Sequence, residues 1–258
     1  MKLLTWAIFF ALMLGGCQIS YQNNISDDSD ILLAPDFPAT SDSSSAADNL
    51  PIAPASAEAL SDQAILADTQ TISEETDNIA IDAQYPKTNI GFVDQTIDYF
   101  VQTQIDDFKN QYQDVEKINA QPYSMWIDYQ IFSANRNFFS VLFMNSYETG
   151  GAHPNHLVFT YNFDIKNERR LSLADIFPEH QSDILNYVKN ELKQNPDYFS
   201  ENIDELTGQD IQKFTLTDRS IIFHFSPYEV AAYAFGPIEV SVEYEKITHW
   251  IMLERLET

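Results

Sequence analysis

An α+β domain is predicted, with an antiparallel sheet, helices packed on one face, and a disordered tether in front. Three observations predict it. Ile90, Val93, Ile97, Val101, Ile105, Phe108 and Tyr112 recur at three- and four-residue steps, the period of a helix with one buried stripe. Stretches that alternate at period two follow, as in Leu157, Phe159, Tyr161 and Phe163. A second helical stripe and further alternating runs come after them. The order helix, strands, helix, strands separates the two kinds of element along the chain, which is the α+β pattern.

From the N-terminus, Lys2 precedes an apolar run from Leu3 to Leu14, too short to cross a bilayer comfortably as a helix. Leu14-Gly15-Gly16-Cys17 follows. Small residues before a cleavage point suit a signal peptidase, and a Cys directly after them resembles the bacterial lipobox. Residues 1–16 are therefore expected to be a lipoprotein signal peptide and Cys17 the lipidated first residue. Cys17 is the only cysteine, so no internal disulfide can form and the exported domain must rely on its apolar core. With Gln18 after Cys17, the expected address is the cell envelope. The anchor would lie on the outer membrane facing the periplasm, or on the outer face of the cytoplasmic membrane.

Residues 17–84 are expected to be a disordered acidic tether. Ser, Asp, Ala and Pro dominate, and between Gln18 and Gln84 there are 13 acids and no Lys or Arg. Such a composition buries too little apolar surface to offset ordering entropy. A flexible coil of that length spans on the order of 45 Å. The whole chain has net charge −25. That disfavours nucleic acid and anionic membrane surfaces as partners and favours a cationic partner or simple solubility.

The domain is expected over residues 85–258, as a helix–strand module to about 150 and a second module from 151. Asn89 is the expected cap of the first helix. Met125, Ile127, Tyr129 and Ile131 then alternate with Trp126, Asp128 and Gln130, and Asn137–Tyr147, apolar on both faces over Phe138–Met144, reads as a central strand. Asp164–Arg169 is a polar turn, and Ser172-Leu-Ala-Asp175 a capping box. Ile184, Leu185, Val188 and Leu192 give the second helix its face, and Pro196 ends it. Strands follow around Phe214–Leu216, Ile221–Phe225 and Ile238–Tyr244, then an amphipathic tail, Ile247–Leu253.

Two loops are the candidate binding elements. The first, Asn145–His156, holds Gly150-Gly151, able to take positive φ, and Pro154, which fixes the exit. The second, Ser226–Pro237, holds Tyr228, Tyr233 and Gly236 between strands. Tyrosines on a rigid frame make contact area at low entropy cost. Ser146, Tyr147, Gly150, Gly151, His153, Pro154, Tyr228, Tyr233 and Gly236 form the candidate set. His153 and His156, three apart, with Glu148, also admit a metal reading, but no second ligand cluster supports it, and neither metal nor cofactor is expected. Gly-x-Ser-x-Gly, His-Glu-x-x-His and phosphate-binding glycine loops are missing, so no catalytic residue is assigned. His224, inside a strand pattern, reads as structural.

Tyr147-Glu-Thr-Gly-Gly-Ala-His-Pro154, Tyr161-Asn-Phe-Asp164, Leu171-Ser-Leu-Ala-Asp-Ile-Phe177 and Tyr228-Glu-Val-Ala-Ala-Tyr-Ala-Phe-Gly-Pro-Ile-Glu-Val240 together resemble the RsiV-type extracellular domain. That family includes a lysozyme-sensing anti-sigma factor ectodomain and an accessory region of a peptidoglycan deacetylase. It has Pro in many members where Ala232 stands. The resemblance implies a stand-alone lipoprotein form of the domain, without a sigma-binding part or an added deacetylase domain. It also implies a non-catalytic module that binds a cationic protein such as lysozyme, or peptidoglycan. The alternatives are a peptidoglycan-modifying enzyme using Glu148 and His153, and a structural envelope lipoprotein without a small ligand.

Overall fold

The computed structural model describes residues 65–118 and 120–251. The expected signal peptide, the lipidation at Cys17, the tether up to residue 64 and the last residues of the tail lie outside them. Two sheets and four α-helices make up the described fold. The larger sheet has the order β1 (Asp68–Glu75), β2 (Ile79–Lys87), β3 (Tyr123–Ala134), β4 (Phe138–Glu148), β5 (Asn155–Asp164) and β6 (Arg169–Arg170). The smaller sheet is β7 (Phe214–Leu216), β8 (Ser220–Phe225) and β9 (Ile238–Glu243). The helices are α1 (Gly91–Tyr112), α2 (Leu173–Ile176), α3 (Gln181–Leu192) and α4 (Ser200–Glu205). The α+β class holds.

Strands begin earlier than Tyr85. β1 and most of β2 fall inside the segment expected to be tether, pairing antiparallel from Asp68↔Lys87 to Glu75↔Ala80. Ile79, Ile81 and Ala83 are buried and alternate with polar or small residues, a period-two signal that the polar average of the segment masks. The expected boundary at residue 150 also moves. β4 and β5 pair over ten residues across it, from Phe138↔Asp164 to Tyr147↔Asn155, so both belong to one sheet.

One pair departs from the antiparallel expectation. β2 and β3 run parallel, Ile79↔Tyr123 to Ala83↔Ile127, because α1 joins them as a crossover and returns the chain to the same end. The start of α1 also differs from expectation. Asn89 takes φ 63 and Ile90 holds the cap position. Asp94, inside the helix, accepts from Thr88 N at 2.7 Å, Thr88 Oγ1 at 2.8 Å and Asn89 N at 3.0 Å, so the carboxylate does the capping from the helical side. Asn tolerates the left-handed backbone that this requires. At α2 the expected capping box between Ser172 and Asp175 is present.

Two apolar cores share β4. Phe139, Val141 and Phe143 point to α1 and pack with Ile97, Phe100, Ile105 and Phe108. Phe138, on the opposite side, joins the core of β7–β9, α3 and Ile203 of α4. This explains why β4 reads as apolar on both faces. Between the cores runs a polar seam. Ser140 Oγ donates to Asn162 Oδ1 at 2.7 Å and accepts from Leu216 N at 2.9 Å, while Asn162 Nδ2 donates to Phe214 O at 2.7 Å. These bonds pin β7 onto β4 and β5. The smaller sheet thus covers part of the face opposite α1, reaching Phe132 of β3, and leaves most of β1, β2 and the Ser124–Gln130 part of β3 open.

Candidate functional site

The two candidate loops meet. His153 stacks on Tyr233 with ring centroids 3.7 Å apart and planes 22° from parallel. Its Nε2 lies 3.1 Å from Tyr228 Oη, and Tyr228 and Tyr233 rings are 5.7 Å apart. His153 Nδ1 is 2.9 Å from Pro154 O. A carbonyl only accepts, so Nδ1 carries a proton, and in the neutral imidazole Nε2 accepts from the Tyr228 hydroxyl. His156 joins from β5, stacked on Tyr233 at 5.8 Å and 17°, with Nδ1 2.7 Å from Ser146 Oγ. Ser146 and His156 face each other across β4 and β5. The cluster therefore stands on the rigid sheet, with loop residues docked onto strand residues.

Backbone geometry shapes both loops. Gly150 has φ 85 and its N–H donates to Glu148 Oε1 at 3.2 Å, closing the first turn. Gly151, expected to share that freedom, does not have positive φ; a Cβ there would meet His153 O at an ordinary 3.5 Å. In the second loop Gly236 has φ 69 and ψ −162, a region essentially restricted to glycine. Tyr228 has φ 71, a costly backbone for a bulky side chain, and is 50% exposed. Its N–H donates to Ala231 O at 3.1 Å. Glu229 holds the turn beneath it, accepting from Ser226 N at 2.8 Å and pairing with Lys213. Ser226 Oγ accepts from Val158 N at 3.1 Å, tying this loop to β5.

Tyr147 does not join the cluster. Its side chain turns to the α1 face, where its ring meets Phe108 at 6.1 Å and its hydroxyl donates to Gln104 Oε1 at 3.3 Å. The reason is strand parity: Ser146 and Tyr147 are neighbours on β4 and must point to opposite faces. Parity equally adds Trp126, which lies outside both loops, beside Ser146 and His156 of the first loop. His156, Ser146 and Trp126 occupy one cross-strand row, through Trp126↔Ser146 and Ser146↔His156. The period-two pattern in the sequence carries that signal. Of the groups in the metal reading, both His153 nitrogens and His156 Nδ1 have protein partners. Among the described residues no group of three or more His, Cys, Asp or Glu gathers as a metal set.

An open groove of about 480 Å³ lies apart from the cluster, between the β1–β2 turn and the end of α1, lined by Asp77, Asn78, Gln113 and Asp114 among others. Lys109 is engaged there with Glu74 at 2.6 Å. None of the candidate loop residues lines it.

Both parts of this fold resemble known modules. Residues 72–156 match the family model described as deacetylase PdaC, and residues 174–245 match a family described as protein of unknown function, DUF3298. The peptidoglycan-N-acetylmuramic acid deacetylase PdaC of Bacillus subtilis is 24% identical over 170 residues, covering 62% of this chain and 36% of that protein. The chain thus spans about a third of the length of this curated relative. A DUF3298 protein from Bacteroides fragilis superposes with TM-score 0.54 at 20% identity, covering 73% of this chain and 95% of its own. One from Pseudomonas aeruginosa gives TM-score 0.57 at 13% identity, covering 75% and 97%. At these identities the two structures establish the shared fold. The motif resemblance in the sequence accordingly stands at the level of PdaC-like and DUF3298 modules.

Proposed function

We propose that this chain is a cell-envelope lipoprotein, held through lipid on Cys17, whose folded domain is a non-catalytic recognition module for a cationic, lysozyme-like hydrolase. One observation carries the binding role: two loops separated by some seventy residues converge in a single imidazole–tyrosine cluster, joined by the His153–Tyr233 stack and the His153–Tyr228 hydrogen bond. Rigid tyrosines at the end of a sheet offer contact area with little entropy to lose on binding. The strained backbone at Tyr228 holds an aromatic ring outward at a cost that a purely structural turn would avoid by using glycine. The net charge of −25 favours encounter with a basic protein. The lysozyme part rests on the RsiV-type motifs Tyr147–Pro154 and Tyr228–Val240.

The test is binding of lysozyme to the full chain at low and moderate salt, with Tyr233→Ala and Tyr228→Ala alongside. The reading expects binding that weakens with salt and with either variant. Absence of binding at low salt refutes the lysozyme assignment. The envelope assignment is tested separately: Cys17→Ser should release the chain from the membrane fraction and abolish palmitate labelling.

Peptidoglycan itself is the second ligand, favoured by the similarity to a peptidoglycan deacetylase over residues 72–156. Co-sedimentation with purified cell wall, lost in Tyr233→Ala, would support it. Retention of the variant on the wall would refute a role for the cluster.

A further inference from the structure

The face of the larger sheet opposite α1 carries a row that starts at the tyrosine cluster and runs outward. His156 faces Ser146, Ser146 faces Trp126, and Trp126 faces Asp82 across β5, β4, β3 and β2. Three strand spacings make this about 14 Å. Trp126 lies between Met125 and Ile127, both 0% exposed in the α1 core, so its indole points to the open side, where it is 39% exposed. Among the described residues no aromatic ring stacks on it and no group hydrogen-bonds its Nε1.

Charge on the β1–β3 part of this face is of one sign. Strand parity and pairing turn Glu75, Asp82 and Asp128 to the same side as Trp126, with Glu148 at the edge. The other residues that β1–β3 turn there include Ser73, Gln84, Ser124 and Gln130, and no Lys or Arg is among them. The single base of these strands, Lys87, points to the α1 side, where it bonds Asp98 at 2.7 Å. An exposed indole with carboxylates across the strand and two residues along it is thus the ground of an unpartnered sheet face.

We propose that this face is a docking surface for an arginine-bearing segment of a partner protein, with Trp126 as its anchor. The proposal rests on the binding role given to the loops and extends their surface across the sheet. A guanidinium stacks flat on an indole, the best of the aromatic partners for a cation. At the same time its N–H groups reach a carboxylate in bidentate fashion. Asp82 and Asp128 stand where such a contact needs them. Charge excludes the other occupants within reach. Residues 18–64 of this chain bear acids and no Lys or Arg, and a second copy would bring the same four carboxylates. A specific protein interface covers about 800 Å² per partner, and the continuous row supplies ground beyond two loop tips.

The experiment is a titration of the ¹⁵N-labelled full chain with a short arginine-rich peptide and a glutamate-rich control, reading the indole N–H signals. Three tryptophans are present, Trp6, Trp126 and Trp250, and Trp126→Phe identifies the signal of interest. The Trp126 signal should move with the arginine peptide alone. Trp126→Ala should weaken binding about tenfold or more, Trp126→Phe should keep part of the affinity, and Asp82→Asn or Asp128→Asn should weaken it several-fold and flatten its salt dependence. An unmoved Trp126 signal, or equal affinity in Trp126→Ala, overturns the proposal. A lysozyme arm separates the two readings. If Trp126→Ala binds lysozyme like the wild type while Tyr233→Ala does not, the sheet face falls and the loop reading stands. If lysozyme fails to bind but the arginine peptide moves Trp126, the lysozyme assignment falls and the sheet face stands.

Discussion

His224 sits in β8, 2% exposed, with the edge of Phe132 from the larger sheet against it at 5.4 Å. Its Nε2 is 2.7 Å from Thr215 Oγ1, which satisfies that nitrogen without adding charge. Burial pushes its pKa from 6.5 down to about 4, and Lys213 pushes the same way. Glu239 Oε1, 3.4 Å from Nδ1, opposes this, but that carboxylate is more than half exposed and screened by water. The unfolded chain therefore takes up this proton near pH 6.5 and the folded chain only near pH 4. Between those values the unfolded state holds the extra proton and acid favours it. The contribution is whole above pH 6.5, is lost as pH falls towards 4, and levels off below. At ~1.36 kcal/mol per unit the whole window is worth about 3 kcal/mol, and the part lost by pH 5 is about 2 kcal/mol. Urea unfolding at pH 8 and pH 5 measures it, with His224→Gln as the variant that cannot titrate. The wild type should lose about 2 kcal/mol more than the variant between the two pH values. Equal losses would refute the argument, since the other histidines and the carboxylates titrate alike in both proteins.

Ser140→Ala should cost about 1–3 kcal/mol in the same assay, because it leaves the buried Leu216 N–H and Asn162 Oδ1 without their shared hydroxyl. Phe163→Ala, at a fully buried ring in the α1 core, should cost about 3–5 kcal/mol through cavity formation. Tyr228→Gly should leave stability within about 1 kcal/mol of wild type, since relief of the positive φ offsets lost contacts, while ligand binding is lost. A Tyr228→Gly protein that still binds lysozyme or cell wall would show that the ring has no part in recognition.

Much of the fold is legible along the chain, and the reasons differ by element. α1 shows itself because six apolar residues, from Val93 to Tyr112, repeat with the helical period and all pack against one sheet. β4 shows itself as central because both of its faces are buried, one against α1 and one against β7–β9. β1 does not, because its residues are nearly all exposed and its order comes from pairing with β2. Polar composition over residues 18–84 describes that stretch well on average and hides the short alternation Ile79, Ile81, Ala83 within it. α4 is likewise short, with only Ile203 anchored. The candidate loops stand out through their glycines, prolines and tyrosines. Their meeting does not, since a stack between His153 and Tyr233 depends on how two sheets are pinned together by Ser140 and Asn162.

Residue types and their local periods determined the helices, the strands with one apolar face, the capping box at Ser172 and the two loops rich in turn-forming residues. These follow from interactions within a few residues, which the order of the chain states directly. Tertiary structure alone decided the parallel pairing of β2 with β3, the place of β5 in the larger sheet and the joining of the loops. It also decided that Tyr147 turns inward while Ser146, His156 and Trp126 line up outward. Those outcomes depend on which strands become neighbours, and a one-residue change of parity sends a side chain to the opposite face. The proposed recognition surface is therefore a property of the register between strands, built from residues that are far apart in the chain.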